Sequence, residues 1–214
     1  MKKIGRLHIL TDIALQNRFS HLELTVMAIS GGADTIQFRQ KNGSTREMIE
    51  IARNMKELCA REGITFIVND RIDIAIAVEA DGVHLGQDDF PIQLARRLLG
   101  NDKIIGGSAG NLDEALKCVS EDVDYIGFGP VYPTTSKEDA GPVTGIGMLK
   151  RLLKDIHLPV IAIGGIDSGN IPEIMRLGAY GIAVISAVCC QDDPEQATRI
   201  LIEALNDSNT GGYR

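Results

Sequence analysis

Eight short apolar runs punctuate the chain, and their spacing restricts the fold more than any other feature. They are "LHILTD" (7–12), "TIQFRQK" (35–41), "TFIVND" (65–70), "DGVHLG" (81–86), "KIIGGSA" (103–109), "DYIGFGP" (124–130), "PVIAIGG" (159–165) and "GIAVISAV" (181–188). Each has strand length, and the segments between them carry a helical period. In 44–63 the apolar residues fall at 48, 49, 51, 52, 55, 58 and 59. Ser44 with Glu47 reads as a capping box, and Gly63 as the stop. Segments 111–121 and 170–179 are shorter versions. Strand alternating with helix predicts parallel βαβ units. A weak echo ("GGADTIQFR", "VEADGVHLG", "EDVDYIGFG", "LGAYGIAVI") returns on every second strand, which favours a closed (β/α)₈ TIM barrel over an open doubly wound sheet. No linker interrupts the pattern, so residues 1–206 read as one barrel domain, followed by a polar, Gly-rich tail, 207–214, expected to be disordered.

A closed barrel leaves no strand face to open water, which makes "TIQFRQK" unusual. Gln37, Arg39 and Lys41 share one parity and therefore one face, opposite Ile36 and Phe38. These polar side chains must line the interior or stand at its mouth, and barrel active sites lie at the C-terminal ends of the strands.

Composition narrows the ligands. The 214 residues are 44% hydrophobic, enough for one sizeable core, and carry a net charge of -7. That charge argues against nucleic-acid or membrane partners, and an anionic ligand would need local Arg and Lys or a metal. Cys59, Cys118, Cys189 and Cys190 form no C-x-x-C pair and read as packing residues of a reducing compartment. Met1-Lys2-Lys3 is followed by no apolar leader core and no run reaches transmembrane length, so the expected location is cytoplasmic. The oligomeric state stays open, a homo-oligomer included.

The residues at the strand ends carry the chemistry. The second run ends in Arg39 and Lys41, the third in Asn69 and Asp70; the loop after the fourth holds Asp89, and the fifth run contains Ser108. The loop after the sixth holds Thr134, Thr135, Ser136 and Lys137; Gly164-Gly165 end the seventh run, and the eighth strand ends near Ile185-Ser186. The glycines and small residues after the last two strands suit a phosphate site built from backbone N–H groups. Arg39, Lys41 and Lys137 supply positive charge. Asp70 and Asp89 offer the two hard carboxylates of a Mg²⁺ site that keeps waters and takes phosphate oxygens. Together they suggest two phosphorylated small-molecule substrates, one a diphosphate. Structural alternatives exist: a tight turn for the glycines, helix caps for the two aspartates, a salt-bridge layer for the polar strand. His84 reads as a hydrogen-bonded core residue rather than a base. No His–Ser–Asp or Cys–His set offers nucleophilic catalysis.

"QFRQK", "VNDRIDIAIAVEADGVHLGQDD", "GPVYPTTSK" and "AIGGI…AVISA" together resemble the motifs of the thiamine-phosphate synthases, over residues 7–205. The resemblance implies a (β/α)₈ enzyme, a transferase joining hydroxymethylpyrimidine diphosphate to a thiazole phosphate with Mg²⁺ as cofactor and pyrophosphate as the second product. It implies pyrimidine-diphosphate contacts at Gln37, Phe38, Arg39, Gln40, Lys41, Asn69, Ser108 and Lys137, and metal ligands at Asp70 and Asp89. It implies thiazole-phosphate contacts at Thr134, Thr135, Ser136, Gly165, Ile185 and Ser186. The catalytic roles fall on Arg39, Lys41, Lys137 and Ser108, and Arg39→Ala or Lys137→Ala is expected to lower turnover by orders of magnitude without disturbing folding. One departure stands out: Gly110-Asn111 replace the His-Thr that usually follows the fifth strand. The related thiazole tautomerases are expected to use that histidine as acid/base, so glycine here favours the synthase over a tautomerase. A non-catalytic regulator binding thiamine phosphate is the remaining alternative, and the full diphosphate set argues against it.

Overall fold

A computed structural model describes residues 4–136 and 141–208. Its eight strands are β1 (Leu7–Thr11), β2 (Thr35–Phe38), β3 (Thr65–Asn69), β4 (Gly82–Leu85), β5 (Ile104–Ala109), β6 (Tyr125–Phe128), β7 (Val160–Ile163) and β8 (Gly181–Val184). Every neighbouring pair is parallel, and β8 pairs with β1 to close the barrel. The helices are α1 (His21–Ser30), α2 (Thr45–Glu62), α3 (Ile72–Ala77), α4 (Ile92–Leu99), α5 (Leu112–Ser120), α6 (Gly145–Asp155), α7 (Ile171–Arg176), α8 (Ser186–Cys189) and α9 (Pro194–Asp207).

The local signals behave as their chemistry requires. Ser44 accepts from the Glu47 N–H while Glu47 reaches back, and Gly63 ends α2 in the left-handed region at φ 70°. Asn111 caps α5. The run 181–188 leaves the strand close to where it was expected to, near Ile185-Ser186: β8 stops at Val184 and Ser186 opens the one-turn α8. The break places Ile185 and Ser186 at the mouth, where the strand-end reading expected them. Helix α9 continues through Asp207, one residue into the expected tail.

Two apolar layers follow from the strand alternation. Ile36, Phe38, Phe66, Val68, Val83, Ile126 and Val184 face the helices in the large outer layer. Leu10, Ile67, Ile104, Tyr125, Ile161 and Ala183 fill the barrel interior. The interior also holds polar groups, His8, Gln37 and His84 among them, all buried. Cys59, Cys118 and Cys189 are buried thiols and Cys190 is partly buried, none in a disulfide. No described helix is long and apolar enough to cross a membrane.

Candidate active site

A cavity of about 430 Å³ opens at the C-terminal ends of the strands. One wall is acidic and basic together: Lys41, Asp70 and Asp89, with Gln87 and Ser108 beside them. The opposite wall is small and hydroxylated: Thr134, Ser136, Gly164, Gly165, Ile185 and Ser186.

Neither aspartate is a helix cap. Asp70 stands between β3 and α3 in the left-handed region (φ 64°), a conformation that Asp tolerates better than most residues. Its N–H donates to the His84 carbonyl at 2.8 Å, and its carboxylate accepts from Lys41 Nζ at 2.7 Å. Asp89 Oδ2 accepts from the Gly86 N–H at 2.6 Å, holding the β4–α4 loop closed. Burial first, then the nearby charge of Asp70, pushes the Asp89 carboxyl above the usual carboxylate range. Two carboxylates that oppose each other's ionisation at one cavity wall favour a bound cation. Among the described residues no group of three or more His, Cys, Asp and Glu side chains could hold a metal. Two oxygens from Asp70 and Asp89 fit the small protein share that Mg²⁺ takes when phosphate oxygens and waters complete its shell.

The hydroxylated wall is held by a short network. Ser136 Oγ donates to Ser186 Oγ at 2.8 Å, and Thr134 Oγ1 donates to Ser136 Oγ at 3.2 Å. Gly164 and Gly165 have φ of 96° and 63°. A Cβ on Gly164 would meet Pro130 Cβ at 2.4 Å, and one on Gly165 would meet the Pro133 carbonyl at 2.5 Å. Glycine is therefore required twice, by backbone conformation and by the close approach of the loop carrying Thr134 and Ser136. Bare backbone N–H groups, hydroxyls and little bulk are what a phosphate needs.

The remaining sequence-predicted residues lie beneath or beside the cavity. Gln37 is buried in the barrel interior, its Nε2 donating to His8 Nδ1 at 3.1 Å and Tyr125 Oη at 3.3 Å. Arg39 is buried and ion-paired with the equally buried Asp12. The Phe38 side chain points the other way, edge-on to His21 in the outer layer at 4.8 Å, so it adds nothing to the cavity wall. Gln40 folds back, donating to the Asn42 carbonyl at 2.8 Å. Thr135 is exposed and outside the lining, and Lys137 lies outside the described residues. Several polar atoms in this layer have no hydrogen-bond partner: Gln37 Oε1, Arg39 Nε and Asn69 Oδ1. Orphaned buried donors and acceptors on residues below a polar cavity are what a polar ligand would complete.

Two participants escaped the sequence reading. Asp12 ends the first apolar run just past the C-terminus of β1, the same signal that marked Asp70, but its partner was not legible. Glu114 lines the cavity and accepts from the Gly110 N–H at 2.7 Å, so a carboxylate stands beside the place where histidine was expected.

The chain is similar to known proteins over nearly its whole length. Residues 7–188 match the family model described as thiamine monophosphate synthase. A thiamine-phosphate synthase of Chloroflexus aurantiacus is 49% identical over 196 residues, covering 92% of this chain and 90% of that protein. One from Methanocella arvoryzae is 46% identical over 206 residues, covering 96% and 97%. Among solved structures, a thiamine phosphate pyrophosphorylase from Pyrococcus furiosus superposes with a TM-score of 0.87 at 40% identity, covering 95% of this chain and 96% of that one.

Proposed function

The chain belongs to the thiamine monophosphate synthase family, and on that premise we propose that it joins an aminopyrimidine methyl diphosphate to a thiazole phosphate, releasing pyrophosphate. The observation that carries this reading is the division of one cavity into two polar walls of different chemistry. Lys41, Asp70 and Asp89 form one, and Gly165, Ser136 and Ser186 form the other. A single phosphate ligand would need only the second.

The thiazole phosphate rests against the glycine–serine wall. The diphosphate lies against the wall of Lys41, which together with Lys137 neutralises charge on the departing pyrophosphate. Asp70 and Asp89 are the residues that would hold Mg²⁺, which supplies further charge neutralisation to the leaving group when bound. The unpartnered carbonyl of Gln37 suits the exocyclic amino group of the pyrimidine. An electron-rich aminopyrimidine can carry a methylene cation once pyrophosphate departs, and the thiazole nitrogen then attacks that carbon. The chain's task is to hold both rings in line and exclude water, so positioning and electrostatics supply most of the rate and no protein nucleophile is required. The tautomerase reading is set aside because Gly110 has no side chain to act as acid or base.

The test is a pyrophosphate-release assay with each substrate and Mg²⁺ omitted in turn. Release only when all are present is expected. Binding of both substrates without release would favour the regulatory alternative.

A further inference from the structure

A single file of hydrogen bonds runs through the barrel from its base to the cavity. At the base, His8 Nε2 lies 3.0 Å from the Gly5 carbonyl. His8 Nδ1 meets Gln37 Nε2 at 3.1 Å, and the same Gln37 nitrogen meets Tyr125 Oη at 3.3 Å. Tyr125 Oη lies 3.0 Å from His84 Nδ1, and His84 Nε2 lies 2.9 Å from Ser108 Oγ in the cavity wall.

The proton positions follow in order from one fixed end. A backbone carbonyl only accepts, so His8 carries its proton on Nε2. Burial pushes the His8 imidazole down to about 4, so it is neutral near pH 7 and its Nδ1 is a bare acceptor. Gln37 must therefore turn its NH₂ toward His8, and its second N–H donates to the Tyr125 oxygen. That oxygen, having accepted, gives its own proton to His84 Nδ1. With Nδ1 accepting, His84 carries its proton on Nε2 and donates to Ser108. The Ser108 oxygen has accepted, so its hydroxyl proton is left to point at a ligand.

Space for this file is built into the sheet. His84 on β4, Gly106 on β5 and Tyr125 on β6 are register neighbours. A Cβ on Gly106 would lie 2.2 Å from Tyr125 Cζ and 2.5 Å from His84 Nδ1. Only glycine between them lets the two rings meet.

We propose that His8, Gln37, Tyr125 and His84 form a directional relay of hydrogen bonds that sets His84 in its Nε2–H tautomer and thereby presents Ser108 to the substrate as an obligate donor. Tyr125 and His84 are then positioning residues, acting through Ser108, and the substrate atom that Ser108 meets is an acceptor. The identity of that substrate, the pyrimidine diphosphate, rests on the synthase reading above; the tautomer does not.

Two measurements separate these. Long-range ¹H–¹⁵N correlation spectra of the ligand-free, histidine-labelled protein read the tautomer directly. The relay requires a protonated Nε2 and an acceptor-type Nδ1 on both His8 and His84, and a shift of His84 toward mixed tautomers in Tyr125→Phe. A protonated Nδ1 on His84 in the wild type overturns it, whatever the activity. In turnover assays, Tyr125→Phe should lower kcat/KM for the pyrimidine diphosphate about 10-fold. In a Ser108→Ala background it should add almost nothing, because both changes remove the same donor. Full multiplicative losses in the double variant would also overturn the relay. A wild type that releases no pyrophosphate would defeat the synthase reading while leaving the spectral result to decide the relay.

Discussion

Lys41 Nζ lies 2.7 Å from Asp70 Oδ2, so the basic group assigned to the diphosphate is salt-bridged to one assigned to the metal. The pair is partly solvated, with side-chain exposures of 44% and 18%. Such pairs contribute about 0–1 kcal/mol to folding. Asp70→Asn should therefore melt within a few degrees of the wild type. Its turnover should fall at least about 100-fold, with a higher Mg²⁺ requirement, because an anionic carboxylate is replaced by a neutral amide. Unchanged Mg²⁺ dependence in both Asp70→Asn and Asp89→Asn would remove these residues from the metal site.

Arg39 behaves differently, and the sequence expectation for it needs amendment. Its guanidinium is ion-paired with Asp12, and both residues are buried. Asp12 also accepts from the Ala14 N–H at 2.8 Å. Removing one member of a buried pair leaves an uncompensated charge, at about 3–5 kcal/mol. Arg39→Ala should thus lose both turnover and stability rather than turnover alone. The double variant Asp12→Asn/Arg39→Met should recover most of the stability and none of the turnover. Denaturant midpoints beside steady-state rates distinguish the two effects.

The contrast between Lys41 and Arg39 marks how far the sequence reaches. Alternation gave both the same face of the second run, and βα periodicity put that face at the mouth of a barrel. These are local, repeating signals. Which partner each side chain takes depends on residues far apart in the chain, such as Asp12 for Arg39 and Tyr125 for Gln37, and carries no periodicity. Asp70 and the Gly164-Gly165 pair were legible because they sit at predicted strand ends, and Asp89 because it lies in the loop after the fourth. Phe38 was assigned to the substrate through its motif, although its parity with Ile36 already placed its side chain among the helices. The short α8 was hidden because "GIAVISAV" is apolar apart from Ser186, and the change of backbone at Ile185 (φ -119°, ψ -82°) that divides it carries no periodic signal.

His8 and His21 predict a pH dependence of folding. Burial, the largest effect in each case, lowers both imidazoles from 6.5 to about 4. Between these values the unfolded chain takes up protons that the folded chain refuses, so stability rises with pH across this window. Acidification from pH 7 through 6.5 toward 4 should destabilise the fold, by on the order of a few kcal/mol from a fully buried histidine such as His8. Urea unfolding at pH 7.5 and pH 5 measures this. His8→Gln should flatten the slope relative to the wild type, even if its absolute stability is lower, and an unchanged slope would locate the protonation elsewhere.

Gly165 provides the sharpest separation of the two substrates. Its φ of 63° costs an L-residue roughly 1–2 kcal/mol. A methyl group there would also stand 2.5 Å from the Pro133 carbonyl and 2.8 Å from Tyr132 Cβ. The loop must then move, carrying Thr134 and Ser136 away from Ser186, to which Ser136 is bonded at 2.8 Å. Lys41, Asp70 and Asp89 lie on the opposite wall and keep their places. Gly165→Ala should therefore raise KM for the thiazole phosphate about 10-fold or more and leave KM for the pyrimidine diphosphate within about 2-fold. The preference for the phosphorylated thiazole over its free alcohol should shrink by a similar factor, since the lost contacts are those to phosphate. Equal increases in both KM values would mean that the two walls do not divide the substrates as proposed.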